Sequence, residues 1–276
     1  ADRMMDMGFM PQLRQIQEII PNKRQNMLFS ATFPPRVERL ADEFLLWPTR
    51  IEVTPESTPV ETVRQLKLEL PNHRTKIAFI EWWIKNFLGE KRLLIFARKK
   101  EEAENLARYL QRSFDFGIRT IHSNKGQNSR INAMEDFRSG AVRILVSTDV
   151  ASRGIDVPET EMVINASVPR DPHEYVHRIG RTGRAFRDGT ALTINDPAER
   201  YALERIEALV GEPLEEIEAP ESLESFDTPR HERQMQAREI DREMRKRDPN
   251  YRGAFHEKKK KGSKTTSSRS NRKPRK

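Results

Sequence analysis

Cysteine is absent from all 276 residues, which excludes a disulfide framework and any thiolate-held metal or cluster. The absence fits a reducing compartment, and a cytoplasmic location is expected. Long apolar runs are also missing. Nothing approaches the roughly 20 residues of a membrane-spanning helix, and no signal-peptide pattern opens the chain, so no membrane partner is expected. Aromatic residues reach only 7%, and the hydrophobic fraction of 36% barely exceeds the charged fraction of 33%. Such a chain can build one or two cores but not bury its whole length, so a soluble protein with a solvated extension is expected. His122 and His177 lie too far from other ligand types to argue for a metal site.

What the chain has is basic charge, unevenly spread. The formal net charge is +8, from 50 Lys and Arg against 42 Asp and Glu. From Ala219 onward there are 18 basic and 9 acidic residues, a balance of +9, leaving 32 basic against 33 acidic before it. The basicity belongs to the tail, and it favours a polyanionic partner through counterion release. The first residue is Ala1, and the opening ADRMMDMGFM reads like the middle of a domain, so an N-terminally truncated fragment is expected.

Four stretches separate. In the first, 1–53, residues 6–20 carry Leu13, Ile16, Ile19 and Ile20 at helical spacing before Pro21. A short apolar strand is expected at 26–30, then a second helix opened by Pro34-Pro35 with Val37, Leu40, Ala41 and Phe44 on one face, then a strand at 49–53. The second stretch, 54–62 (TPESTPVET), has linker chemistry. The third, 63–218, alternates short apolar runs at 93–96, 119–121, 143–146 and 162–164 with helical patterns such as 99–114 and 128–138. That alternation predicts an α/β fold, a parallel sheet with helices on both faces. The fourth, 219–276, reads as a basic, largely disordered tail. Within it, 230–248 is a candidate lone helix and 258–276 has almost nothing to bury.

Parallel α/β sheets bind ligands in the loops beyond the carboxyl ends of their strands. The unusual residues of this chain fall there, loop after loop. Ser30-Ala31-Thr32 follows the 26–30 run, and His122 with Gln127 and Arg130 follows 119–121. Ser147-Thr148-Asp149 follows 143–146 and continues through Gly154 to Asp156. Hydroxyls, guanidinium groups and a carboxylate of the ribose-binding type suit phosphates and sugars better than an apolar ligand. The sharpest signal is His177-Arg178-Ile179-Gly180-Arg181-Thr182-Gly183-Arg184. Residues 171–179 read as a short helix with Asp171 as N-cap, Pro172 at the first position and Gly180 as the stop. Arg181 and Arg184 then stand on a glycine-interrupted turn, where backbone can approach a ligand and two forks can hold a highly charged phosphate group. An arginine finger is worth about 10³–10⁵ in the rate of phosphoryl transfer, roughly 4–7 kcal/mol of barrier. An exposed salt bridge, at about 0–1 kcal/mol, does not approach that.

In this order and at these separations, SAT, QNSR, STDVASRGID and HRIGRTGR resemble motifs III, IVa, V and VI of the DEAD-box ATP-dependent RNA helicases of superfamily 2. Ala1-Asp2 resemble the last two letters of the DEAD motif, with RMMDMGF as its familiar continuation. The resemblance spans about residues 1–218, and HSNKGQNSR with the basic tail is most similar to the bacterial RhlE-like branch.

The resemblance implies a RecA-like fold with the second lobe complete and the first partial. It implies ATP and Mg²⁺ as cofactors, bound mainly by the missing part of the first lobe. Its catalytic set falls on Asp2, Ser30, Thr32, His177, Arg181 and Arg184. The two arginines would reach the γ-phosphate, with Arg184 as the finger. Ser30 and Thr32 would couple the nucleotide site to RNA through the DEAD loop, and His177 would join that interlobe network. Asp156, with Gly154 beside it, would bond the ATP ribose. Arg98, Lys99, Ser123, Arg130 and Thr148 would hold RNA phosphates, reading backbone and A-form shape rather than base sequence.

The chain departs from the family pattern at three places. Ser123 replaces a usual Gly, Lys99 a usual Thr, and Ala166-Ser167 stand where an aromatic and an acidic residue are usual. A larger departure is absence. There is no GxxxxGK[ST] phosphate loop, no Asp-Glu ahead of Ala1, and no adenine-reading segment, so the fragment alone is not expected to hydrolyse ATP. Blander readings exist. Thr148-Asp149 alone could be an N-cap pair, and Trp82-Trp83, in a helix over 76–87, argue for packing rather than base stacking. The Lys258–Lys261 run could be solubilising or a targeting signal as well as an RNA attractor. Two alternatives remain open: an RNA-binding module without catalysis, or a related superfamily 2 helicase acting on DNA. Protein partners cannot be read from the sequence.

Overall fold

The computed structural model describes residues 8–21, 23–30, 35–52, 63–149, 159–183, 189–248 and 250–251. The chain divides into two compact units, residues 1–56 and 57–276.

In the first unit, α1 (Met10–Ile19) closes just before Pro21, and α2 (Pro35–Phe44) opens on a proline, whose missing N–H is no loss at a first helical position. Val37, Leu40 and Ala41 of α2 are buried, as their spacing requires. Arg14 of α1 forks onto Glu43 of α2 at 2.7 and 3.1 Å. Of the strands expected at 26–30 and 49–53, none is present at the described residues 26–30 and 49–52, and Met27, Phe29 and Ile51 are exposed. A strand exists only through its neighbours, and no partner strand stands among the described residues of this unit.

The second unit runs β1 (Val63–Glu69), α3 (His73–Trp83, continued by a π-helical turn Ile84–Leu88), β2 (Leu93–Ala97), α4 (Lys100–Ser113), β3 (Gly117–Ile121), α5 (Gln127–Ser139) and β4 (Val142–Thr148). It continues with β5 (Met162–Asn165), α6 (Pro172–Ile179), β6 (Gly189–Asn195), α7 (Arg200–Val210), β7 (Glu215–Glu216) and α8 (Arg230–Arg247). All strand pairs are parallel, in the order β3-β4-β2-β5-β6-β1-β7.

Strand alternation divides the core between two faces. Leu93, Ile95, Ile144, Val146 and Ile164 pack with Phe79, Ile80 and Trp83 of α3 and Leu106 and Leu110 of α4. Leu94, Phe96, Leu145 and Val163 pack with Phe137 of α5, Tyr175 and Ile179 of α6, and Leu203 and Ile206 of α7. The result is the expected RecA-like α/β sandwich, buried on both faces. Trp82 and Trp83 serve packing: Trp83 is 7% exposed, stacks near Phe79 and Phe87, and donates its indole N–H to Met162 Sδ at 3.2 Å.

Residues 219–248 correct one expectation. They are neither disordered nor a lone helix, because the stretch folds back on the sheet unit. Asn72 Nδ2 donates to the Phe226 carbonyl at 2.6 Å, and Arg74 lies 3.7 Å over the Phe226 ring. His73 N–H donates to Glu232, Arg205 pairs with Glu243 at 2.9 Å, and Tyr201 O–H donates to Met244 Sδ at 3.0 Å. Composition suggested solvation because most α8 side chains are charged, but the lobe supplies counter-charges at fixed places. Residues 252–276 lie outside the described residues.

Candidate functional site

Because every strand is parallel, all carboxyl ends lie along one edge. Strand β2 continues through α4 to β3 on one side, whereas β5 continues through α6 to β6 on the other. The crevice between β2 and β5 is therefore the topological switch point, where open α/β sheets hold ligands. Register orders the expected phosphate contacts into a row. Ile121 pairs with Ser147, Ala97 with Thr148, and Phe96 with Asn165. Ser123, Thr148 and Arg98-Lys99 thus leave three consecutive strands, spaced by about 4.8 Å.

Each end of this row is held from behind. Glu104 of α4 accepts from Thr120 Oγ1 at 2.7 Å, lies 2.7 Å from His122 Nε2, and pairs with Lys125 at 2.8 Å. The Lys125 ammonium, with His122 and Thr120, holds the Glu104 carboxyl down to about 2. That carboxylate fixes the turn carrying Ser123, which is exposed. Arg130, one helical turn into α5, donates to Gln127 at 3.1 Å. Thr148 is buried at 7% exposure.

At the switch point, Glu199 is the hub. One oxygen accepts from Arg98 and from the Val168 N–H at 3.2 Å; the other accepts from Lys76 at 2.5 Å and from the Asp196 N–H at 3.2 Å. Lys76 also donates to the Ile194 carbonyl at 2.9 Å. Burial pushes the neighbouring Asp196 carboxyl up, opposed by the Lys76 charge. Arg98 is therefore not a loose cation but a fork aimed by a buried carboxylate. Lys99, at the N-cap of α4, is exposed, and its N–H approaches Glu102 at 3.4 Å.

Helix α6 begins as read from the sequence, with Asp171 accepting from the His173 N–H at 3.0 Å and Pro172 first. Tyr175, Arg178 and Ile179 share its buried face, while His177 is exposed. Arg178 forks onto Asp149 at 2.6 and 2.8 Å and donates to Asn165 Oδ1 at 3.1 Å and the Ser167 carbonyl at 2.9 Å, with its guanidinium 5.1 Å over Phe96. At 3% exposure it cannot meet a ligand; it clamps α6 to the loop after β4. The turn that follows is closed by Gly180 N–H to Val176, Arg181 N–H to Arg178 and Thr182 N–H to Ile179, all carbonyls at 2.9–3.1 Å. Gly183 takes φ +71°, a left-handed value that favours glycine. The Arg181 carbonyl accepts from the Thr160 N–H at 3.0 Å, beside the amino end of β5. The arginine turn thus lies across the depth of the sheet from the phosphate row, roughly 13 Å for four strand residues. The two are linked through Arg178.

Arg98, Lys99, Ser123, Arg130, Thr148, His177 and Arg181 all lie in the second unit, and Ser30, half-buried, in the first. Asp2, Thr32, Gly154, Asp156 and Arg184 lie outside the described residues. Sequence reasoning passed over Arg178 and Asp149 as a pair, although a charge on the same helical face as Tyr175 and Ile179 was a signal that a buried partner must exist. Among the described residues no group of three His, Cys, Asp or Glu gathers as a metal site.

Residues 76–186 match the helicase conserved C-terminal domain, and residues 1–40 the DEAD/DEAH box helicase family. The crystallised E. coli DEAD-box protein SrmB, bound to the regulator of ribonuclease activity A, is 30% identical with a TM-score of 0.55, and the match covers 60% of this chain and 97% of that one. This chain belongs to the DEAD-box helicase family. Another relative, the ATP-dependent rRNA helicase rrp3 of Schizosaccharomyces pombe, is 37% identical over 218 residues, 79% of this chain and 46% of that protein. S. cerevisiae Dbp5, solved bound to RNA and ADP BeF3, is 28% identical with a TM-score of 0.67, covering 79% of this chain and 57% of that one. The chain spans about half or less of the length of the curated relatives it matches. The Ala166-Ser167 pair borders a cavity of about 560 Å³, whose wall also holds Glu199 with its partners Lys76 and Arg98; nothing in the structure explains the departure itself.

Proposed function

We propose that this chain is the C-terminal portion of an ATP-dependent RNA helicase that unwinds or remodels short RNA duplexes. It supplies the arginine finger and part of the RNA-backbone grip. The phosphate loop, the adenine pocket and most of the Mg²⁺ site come from sequence outside these residues, and this piece alone does not turn over ATP. One observation carries the reading: the buried Arg178 fork, which makes the arginine turn and the loop of the phosphate row one mechanical piece. A nucleotide event at the turn can then be felt by the RNA contacts. The naming of rrp3 as an ATP-dependent rRNA helicase, and of Dbp5 as bound to RNA and ADP BeF3, supports it.

On this reading Arg184, with Arg181 beside it, neutralises charge on the transferred γ-phosphoryl group. Asp156 and Gly154 hold the ribose. Asp2, Ser30, Thr32 and His177 couple hydrolysis to RNA, while Arg98, Lys99, Ser123, Arg130 and Thr148 hold phosphates without reading bases. Residues 252–276, with 11 basic residues and one acidic, add non-specific RNA affinity. The HSNKGQNSR segment with this tail supports an RhlE-like branch, and the lack of cysteine supports a cytoplasmic setting.

The test is Arg184→Ala in the full-length protein. RNA-stimulated ATP hydrolysis should fall by about 10³-fold or more, with RNA binding retained. Unchanged turnover would remove the finger assignment.

A further inference from the structure

The row of strand ends does not stop at Arg98 and Lys99. Strand β5 lies beside β2, and the loop leaving it carries Ser167 and Arg170. Helix α8 packs against this loop, and the cavity between them is of mixed charge: Arg98, Lys99, Arg170 and Arg242 line it with Ser167 and Glu239, and further carboxylates, Glu199 and Glu243 among them, line it too.

Two features mark the cavity as an anion site. First, Arg170 Nη2 and Arg242 Nη1 converge on the two oxygens of one carboxylate, Glu239, at 3.4 and 3.2 Å. One guanidinium comes from the lobe and the other from α8, each through one nitrogen, and two guanidinium groups facing a single anion are an arrangement a phosphate accepts. Arg170 and Arg242 are 68% and 61% exposed, so their hold on Glu239 is weak and exchangeable. Second, Ser167 is 93% buried, and its hydroxyl has no hydrogen-bond partner among the described residues. A buried donor without a partner lining a polar cavity is a group a ligand can satisfy.

We propose that Arg170 and Arg242 form an RNA-phosphate subsite that continues the backbone path beyond Arg98 and Lys99, and that Glu239 occupies it until a strand displaces it. Helix α8 is then the outer wall of the RNA groove, and its own carboxylate is a built-in competitor that selects against weakly held polyanions. The inference rests on the RNA-binding reading above, but Arg170 and α8 belong to none of the motifs that support that reading.

The test uses the full 276-residue chain and a fluorescein-labelled single-stranded oligouridylate, titrated at several salt concentrations. Arg170→Ala and Arg242→Ala should each weaken binding and flatten the slope of log K against log salt by about 0.7. Glu239→Gln should tighten binding by up to about fivefold, the range an exposed ion pair spans. That gain should vanish in the Arg170→Ala, Arg242→Ala background. A gain that persists there reflects net charge alone and overturns the subsite. Arg130→Ala is the reference: if it weakens binding while Arg170→Ala and Arg242→Ala do not, the subsite falls and the RNA reading stands. If no variant, Arg130→Ala included, alters binding, both fall.

Discussion

Glu104 gathers Thr120, His122 and Lys125 on one carboxylate, and so controls the turn that presents Ser123. Its folded carboxyl titrates at about 2, held down first by Lys125, against an ordinary value of 4.5. The unfolded chain therefore takes up the proton first. The stabilisation is complete above about 4.5 and is lost as pH falls from there toward about 2. Urea unfolding across that window should show a steeper acid loss in the wild type than in Glu104→Gln; identical pH profiles would dissociate the carboxylate from the turn. Other single residues were legible only in part. Arg181 announced itself by sitting between Gly180 and Gly183, whereas Arg178, one position from His177, stood in the same motif with no local sign of Asp149. That partner follows β4, and only the sheet brings it to α6. Arg98 likewise read as a free phosphate contact, while its aim is set by Glu199, about a hundred residues away in sequence.

Elements with strong local signals formed where expected. Helix α6 obeyed its Asp171 cap, its first-turn proline and its Gly180 stop. Strands β2 to β5 obeyed their β-branched runs. Strands β1 and β6 were overlooked. Val63–Glu69 mixes Arg, Gln and Lys with leucine, and Gly189–Asn195 opens on glycine beside threonines, so neither looked like a buried run. Yet β6 supports the arginine turn directly. A Cβ built on Gly189 would stand 2.5 Å from the Gly183 nitrogen and 2.5 Å from Thr182 Oγ1. Gly189→Ala should therefore push the turn away and destabilise the unit by about 1–3 kcal/mol. Gly126→Ala, where nothing lies within 4 Å, meets no clash and should lose only the N-cap preference for glycine over alanine, about 1 kcal/mol or less. Chemical denaturation of the two variants makes the comparison. Equal midpoints would show that the turn does not lean on β6.

For the whole molecule, charge and folding divide the tail differently from the composition. Residues 219–251 hold 7 basic and 8 acidic residues, while 252–276 hold 11 and one. The net basicity thus sits after the segment that folds onto the lobe. Ending the chain after Tyr251 should lower RNA affinity and its salt slope without changing the melting temperature. Ending it after Glu218 should also lower the melting temperature, by about 2–4 °C for each kcal/mol lost. That truncation strips Asn72, Arg74, Tyr201 and Arg205 of their partners. Equal melting by the two truncated chains would mean that α8 is not part of the folded unit.

By itself the sequence determined the class of sheet and the short helix with the turn that follows it. Each of these rests on contacts within a few residues: alternation, caps, glycine spacing. Tertiary structure decided what depends on distant partners. The 26–30 and 49–52 runs form no strand among the described residues because a strand is defined by its neighbours, not by its side chains. The phosphate row and the arginine turn lie at different edges of the sheet because β5 and α6 carry the chain across it, and Arg178 rejoins them. Helix α8, which composition assigned to solvent, is held by the Arg205 guanidinium, the His73 N–H, the Glu204 carboxylate and the Tyr201 ring, which only the folded lobe brings into reach.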